Sequence, residues 1–476
     1  MEKLLSDING FVWGVPALIL ILSVGAYIGV KTHFAQLRLF PEAVARFWRM
    51  LKGKEGDSAF RALCTALAAT VGTGNIAGVA GAIALGGPGS IFWMWVCAFL
   101  GMGIKFAEAV LAVRYRKVGR SGELLAGPMY MMAEGMGPGF RWLGVCYCLL
   151  GCMAAFGMGS AVQINSVIRS VHQASQNLGR PLPGWTGPCL GIILGALAAW
   201  CLLGGGKRIG DLASGLIPVA SAAYIALCLG AIGFHWDRIP EALEAVFLGA
   251  FQPKAVTGGV VGSVLLSVRV GASRGVFTNE AGMGTAAIAH GTAETDQPVR
   301  QGLMGIMEVF LDTFLICTLT ALVILTAGIS IPYGTDEGAA LTTRAFAATY
   351  GNWVSVPMAL FLSAFAFATV LGWGFYGLRC AAFLFGEGAA KPFALLLAFG
   401  GILGVLMETG PVWILSELFN GLMAIPNLIA LAALCPETAR LTLAYGKRSV
   451  RRRSAEIKRP EVAKEAAAPF PPGTGR

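Results

Sequence analysis

The stretch Val71-Gly72-Thr73-Gly74-Asn75-Ile76-Ala77-Gly78 lies within a long apolar run and combines helix-weakening glycines with a hydroxyl and an amide. A helix interrupted there exposes backbone N–H groups on one side and carbonyls on the other. The donors suit a carboxylate, and the carbonyls around Val71 and Gly72 suit a small cation such as sodium. The same residues would also serve close helix packing, because Gly74 and Gly78 share a face. Gln163, in the run Gly157 to Ser166, can donate and accept and so suits a zwitterionic ligand; a buried amide can equally stitch helices together. Thr369 and Trp373 are four apart and share a helix face. A hydroxyl can ligate a cation, and an indole one turn away can wall a pocket for a small side chain. In the competing reading Thr369 bonds its own helix backbone and Trp373 simply packs.

Ionisable residues also fall at or near apolar segments. Lys105 and Glu108 sit at i and i+3 and can pair with each other. Asp312 has no obvious neighbouring partner, which makes it a candidate for a proton relay. Arg274 to His290 is polar and Gly-rich; it lacks the spacing of a phosphate loop and reads as a loop or short helix at a cytoplasmic gate. The four histidines are scattered, and most of the eleven cysteines lie within apolar runs with no metal-ligand spacing. A membrane-embedded enzyme would need such groups clustered at one depth. A channel would be expected to show a fourfold repeat or a ring of acidic residues, and neither is visible.

The elements that must hold these residues follow from composition. The 476 residues are 56% hydrophobic and 13% charged, where a soluble domain carries about twice that charge. Apolar windows bounded by Gly, Pro and charge give about eleven spans, centred near residues 21, 74, 101, 155, 195, 222, 262, 315, 365, 399 and 424. Phe34 to Met50 reads instead as an interfacial amphipathic helix. The net charge of +10 gathers between spans and in Lys447 to Arg453, which is the pattern of positive cytoplasmic loops, not of nucleic-acid binding. It places the N terminus outside and the C terminus in the cytoplasm. The expected organisation is a first span with amphipathic segment over 1–60, a five-helix half over 61–240, and a second half over 241–440 containing a gate segment at 271–302. A basic tail over 441–476 is expected to be disordered. Glycine-broken apolar segments near the second and seventh spans are spaced as the starts of two inverted five-helix halves would be.

At these residues the sequence resembles the alanine or glycine:cation symporter family. The resemblance is carried by GTGNIAGVAGAI, GGPGSIFWMW and GMGIKFAEAVLAVRYR between Gly72 and Arg116. It continues in Gln163 to Ser166, in RGVFTNEAGMGTAAIAH from Arg274 to His290, in Asp296 to Gly302, and in Thr369-x-x-Gly372-Trp373. Ala368 stands where members often carry a serine beside Thr369. The resemblance implies an all-α polytopic membrane protein whose leucine-transporter-like 5+5 inverted-repeat core follows one extra helix. It implies import of alanine or glycine with sodium by alternating access in the cell (inner) membrane, with lipid around it and no cofactor. A proton-coupled carrier of the same fold is the alternative, and a membrane channel is a more distant one. It further implies substrate contacts at Thr73, Gly74, Asn75, Gln163, Thr369 and Trp373, with sodium near Val71, Gly72 and Thr369. A second broken helix is implied at Gly258, Gly259 and Gly262.

Overall fold

The computed structural model describes residues 2–120, 122–335, 337–405 and 409–466. Uninterrupted apolar sequence folds as helix because a helix satisfies its own backbone without water. Among the described residues eight helices are long and apolar enough to cross a membrane. The bent pair Asp57–Thr70 and Gly74–Gly86, broken by 51°, makes nine if counted as one span. In chain order the helices used below are α1 (Val15–Lys31), α2 (Phe40–Leu51), α3 (Asp57–Thr70), α4 (Val79–Gly86), α5 (Ser90–Tyr115), α6 (Arg141–Phe156) and α7 (Val162–Asn177). They continue as α8 (Thr186–Leu203), α9 (Gly205–Phe234), α10 (Val264–Asn279), α11 (Thr285–His290), α12 (Pro298–Val309), α13 (Ser355–Phe385), α14 (Ala390–Gly404) and α15 (Thr409–Ala466). One two-stranded hairpin interrupts the all-helical pattern, pairing Lys117 with Leu125 and Val118 with Leu124.

Two expected spans differ. The centre near 262 falls in a loop, because Gly258 and Gly259 adopt φ of +62° and +89°. Helix α10 starts only at Val264, where the Ser263 side chain accepts the Leu266 N–H at 3.2 Å. The centre near 399 lies on α14, which is 15 residues long and so reaches about 22 Å at 1.5 Å per residue, short of a full hydrocarbon core. The basic tail, expected to be disordered, continues α15 as helix to Ala466. Its Arg, Lys, Glu and Ala residues are strong helix formers. Residues 467–476 lie outside the described residues.

The interior is built around α5, which packs along α12 and α10. These helices approach closely through glycine. A Cβ at Gly305 would stand 2.6 Å from the Lys105 carbonyl oxygen, and one at Gly271 would stand 2.2 Å from that of Ser90. Both obstacles are backbone, which cannot rotate away. Gly305→Ala is therefore expected to cost about 1–3 kcal/mol through overpacking, read as a lowered melting temperature in detergent. An unchanged melting temperature would show that the α5–α12 interface yields freely.

Candidate functional site

The first break separates α3 from α4. Val71 leaves helical geometry with ψ of +97°, and the Gly72 N–H turns to the Asn75 side chain, donating to Oδ1 at 2.9 Å. From Gly74 the chain re-forms as a π turn through Gly78 before α4 begins. Helix α13 lies directly over the opening. Its Gly372 comes so near that a Cβ would stand 2.8 Å from the Ala69 nitrogen, and a Cβ at Gly72 would meet Thr369 Oγ1 at 2.9 Å. The structure thus sets the Thr369 hydroxyl over the broken backbone. That hydroxyl donates to the Phe365 carbonyl at 3.0 Å, which orients it and leaves its lone pairs available to a cation.

The second break lies at 280–284, not at the glycines 258, 259 and 262. Glu280, Gly282 and Gly284 take φ of +53°, +92° and +80°, which ends α10 and offsets α11 from it. The glycines are required at 282 and 284 because a side chain rarely adopts this geometry. The released groups are satisfied from three sides. Gly282 and Gly284 each donate an N–H to Glu108 Oε1 at 3.1 Å. Asn427 on α15 donates to the same Oε1 and to the Gly282 carbonyl, both at 2.8 Å. Ala281 donates its N–H to Asn279 Oδ1 at 3.0 Å. The stretch Arg274 to His290, expected as a loop or short helix at a gate, is the end of one helix, a break and a second short helix, and from Gly275 to His290 only Phe277 is not fully buried.

These contacts also correct the expected pairing of Lys105 with Glu108. Lys105 instead bonds Glu308 at 2.9 Å, and the other oxygen of Glu308 meets His290 Nε2 at 2.9 Å. An i,i+3 pair would leave both charges short of the hydrogen bonds a buried ion needs, whereas partners on neighbouring helices supply them. Glu280 has its own pair of partners. Trp373 Nε1 donates to its Oε1 at 2.8 Å, and Thr285 Oγ1 donates to its Oε2 at 2.7 Å.

The expected site residues other than Gln163 lie at the two breaks. Thr73, Asn75, Gln163, Thr369 and Trp373 are all buried, as is Gly74. A Cβ at Gly74 would touch the Thr278 methyl at 3.0 Å, so the first break rests on the end of α10. Gln163 lies on α7, which packs along α13, the helix of Thr369 and Trp373. The Gln163 Oε1 is buried with no hydrogen-bond partner, a free acceptor. Asn75 differs from its expected use. Its oxygen caps Gly72, and its Nδ2 donates to Asp312 Oδ1 at 2.6 Å, so its amide holds the break in shape. Thr278, Asn279, Glu280, Glu108 and Asn427 were not among the expected site residues; the Gly282-Met283-Gly284 spacing was the one local signal for them.

Two discontinuous helices thus meet inside the bundle. Residues 1–459 match the sodium:alanine symporter family, and the chain belongs to that family. It is a membrane-integral transporter and not an enzyme. It is 40% identical to the sodium/alanine symporter AgcS of Methanococcus maripaludis over 94% of this chain and 97% of that one. It is 35% identical to the probable sodium/glutamine symporter GlnT of Bacillus subtilis, over 90% of this chain and 88% of that one. Among solved structures it shares its fold with MhsT bound to L-phenylalanine, with a TM-score of 0.56 at 15% identity over 81% of this chain and 97% of that one.

The clamp at the second break is directly testable. Glu108→Ala leaves the Gly282 and Gly284 N–H groups without their acceptor, a loss of about 1–3 kcal/mol for each. Glu108→Gln, which keeps a carbonyl oxygen, is expected to retain much of that stability. Thermal unfolding of the two variants in detergent reads the difference; equal melting temperatures would remove Glu108 from its role.

Proposed function

We propose that this chain imports a small neutral amino acid, alanine or glycine, together with sodium by alternating access. The observation that carries the reading is the Thr369 hydroxyl set over the broken backbone at Gly72. A hydroxyl oxygen beside freed carbonyls at Val71 and Gly72 offers neutral oxygen ligands of the kind sodium takes in such folds. The backbone N–H groups at Thr73 and Gly74 suit the substrate carboxylate. The free Gln163 Oε1 suits the substrate ammonium, because it accepts without adding a charge. Trp373, held by Glu280, closes the side-chain end and limits it to small groups. The name of the relative AgcS, a sodium/alanine symporter, agrees with this choice of substrate and cation.

The wider architecture is part of the proposal. Counting the segment around α10 and α11 and the short α14 as spans gives eleven. The two breaks then open the first and sixth of ten core helices, as two inverted five-helix halves require. α1 is the extra helix before them. The distribution of positive charge between spans supports an orientation with the N terminus outside and the C terminus on the cytoplasmic side of the cell membrane. Coupling to one sodium is energetically sufficient: a charge crossing about 150 mV supplies roughly 3.5 kcal/mol. A tenfold sodium gradient adds about 1.4 kcal/mol, enough together for more than about a thousandfold accumulation.

Radiolabelled alanine and glycine uptake into proteoliposomes, with sodium, lithium and proton gradients imposed separately, tests this. Saturable, counter-flow-capable uptake driven by sodium is expected; uptake driven by protons alone would replace sodium by the proton, and a non-saturating current would indicate a channel. Thr369→Ala is expected to weaken sodium dependence by tenfold or more, on the order of 1.4 kcal/mol for one lost ligand. Gln163→Ala is expected to raise the alanine KM with sodium dependence retained. If either variant left its own parameter unchanged, that residue's role would be withdrawn.

A further inference from the structure

The two breaks are joined by an unbroken line of hydrogen bonds, and a single carboxylate stands at its centre. It starts at the first break, where the Gly72 N–H donates to Asn75 Oδ1 at 2.9 Å and Asn75 Nδ2 donates to Asp312 Oδ1 at 2.6 Å. On the other side Thr313 Oγ1 donates to Asp312 Oδ2 at 2.8 Å, and Asn279 Nδ2 donates to Thr313 Oγ1 at 3.3 Å. It ends at the second break, where the Ala281 N–H donates to Asn279 Oδ1 at 3.0 Å. Asn75, Asp312, Thr313 and Asn279 are all buried. We propose that Asp312 is the positioning residue that couples the two breaks, so that what is bound at one sets the geometry of the other. The proposal rests on the reading of the first break as the sodium and substrate site.

The reason lies in what each group can and cannot do. An ionised carboxylate only accepts, so both of its neighbours must present donors to it. Asn75 must turn its Nδ2 toward Asp312, which leaves its oxygen facing the Gly72 N–H. Thr313 must give its hydrogen to Asp312, which leaves its lone pairs for the Asn279 amide. Asn279 then has only its oxygen to offer Ala281. One acceptor-only group thereby fixes the direction of every donor from Gly72 to Ala281. A neutral amide at 312 has one accepting and one donating end; with its oxygen on Asn75 its N–H group faces Thr313, whose hydroxyl must then accept and turn its own hydrogen away, which reverses that link. The local backbone supports this role: Asp312 lies in a π turn over Phe310–Cys317, and Asn75 Nδ2 also reaches the Asp312 carbonyl at 3.2 Å and Cys317 Sγ at 3.3 Å. Movement at the first break is thus registered at both the side chain and the backbone of this turn.

The test compares the alanine concentration for half-maximal uptake at saturating and at low sodium, in proteoliposomes holding the full chain. In the wild type sodium is expected to lower this concentration by a factor within the usual range for coupled sites, roughly 5–150. In Asp312→Asn, which keeps size and shape, that factor is expected to fall toward one while transport at high alanine persists. Thr313→Val removes the hydroxyl link to Asn279 with its volume kept, and the same loss is expected; it carries the test if the Asn variant does not fold. A folded variant that transports more slowly but keeps the wild-type sodium factor would overturn the coupling role and leave only a structural one. A wild type whose alanine affinity ignored sodium would instead overturn the reading of the site itself.

Discussion

Backbone polar groups freed at buried depth must find partners within the protein, and two broken helices free many of them. Each group left unpaired there costs several kcal/mol. The breaks therefore exist only because particular side chains meet them. Asn75 takes the Gly72 N–H, Glu108 takes those of Gly282 and Gly284, and Asn279 takes that of Ala281. Close glycine contacts between α5, α10 and α12 bring those side chains within reach. Among the buried side-chain atoms left without a partner is the Gln163 oxygen, the one the proposed site uses.

This division of labour explains why polar residues at similar depth have different duties. Asn75 and Asp312 are committed to each other and shape the break. Glu280 is committed to Trp373 and Thr285, which ties the second break to α13. Lys105, Glu308, His290 and Gln301 form a buried network that secures α5, α11 and α12 to one another. The chain belongs to the sodium:alanine symporter family, and these commitments account for several of its buried polar groups.

Much of the bundle was legible because apolar run length is a local property: nine of the expected span centres fall on described spans. The first break was legible for the same reason, since Gly72-Thr73-Gly74-Asn75 carries its own helix-weakening chemistry. The second was misplaced because three glycines at 258, 259 and 262 look more disruptive than 282 and 284. The difference lies in burial: Gly258, Gly259 and Gly262 are exposed turn residues, whereas the turn at 280–284 is packed on Glu108 and Asn427. Glu280 in a left-handed conformation has no signature, because most glutamates never adopt it. The partner of Asp312 was hidden by separation, 237 residues along the chain from Asn75. Likewise Lys105 had a plausible neighbour in Glu108, and only the packing of α5 on α12 shows Glu308 to be the better one.

The central claim is that a cation and a substrate bound at the first break stabilise the same closed arrangement. Equilibrium binding of alanine to the purified protein, measured in sodium and again with sodium replaced by choline, tests it most directly. Binding is expected to be saturable in sodium and at least tenfold weaker in choline, a difference of about 1.4 kcal/mol or more. Equal affinity in the two salts would contradict it.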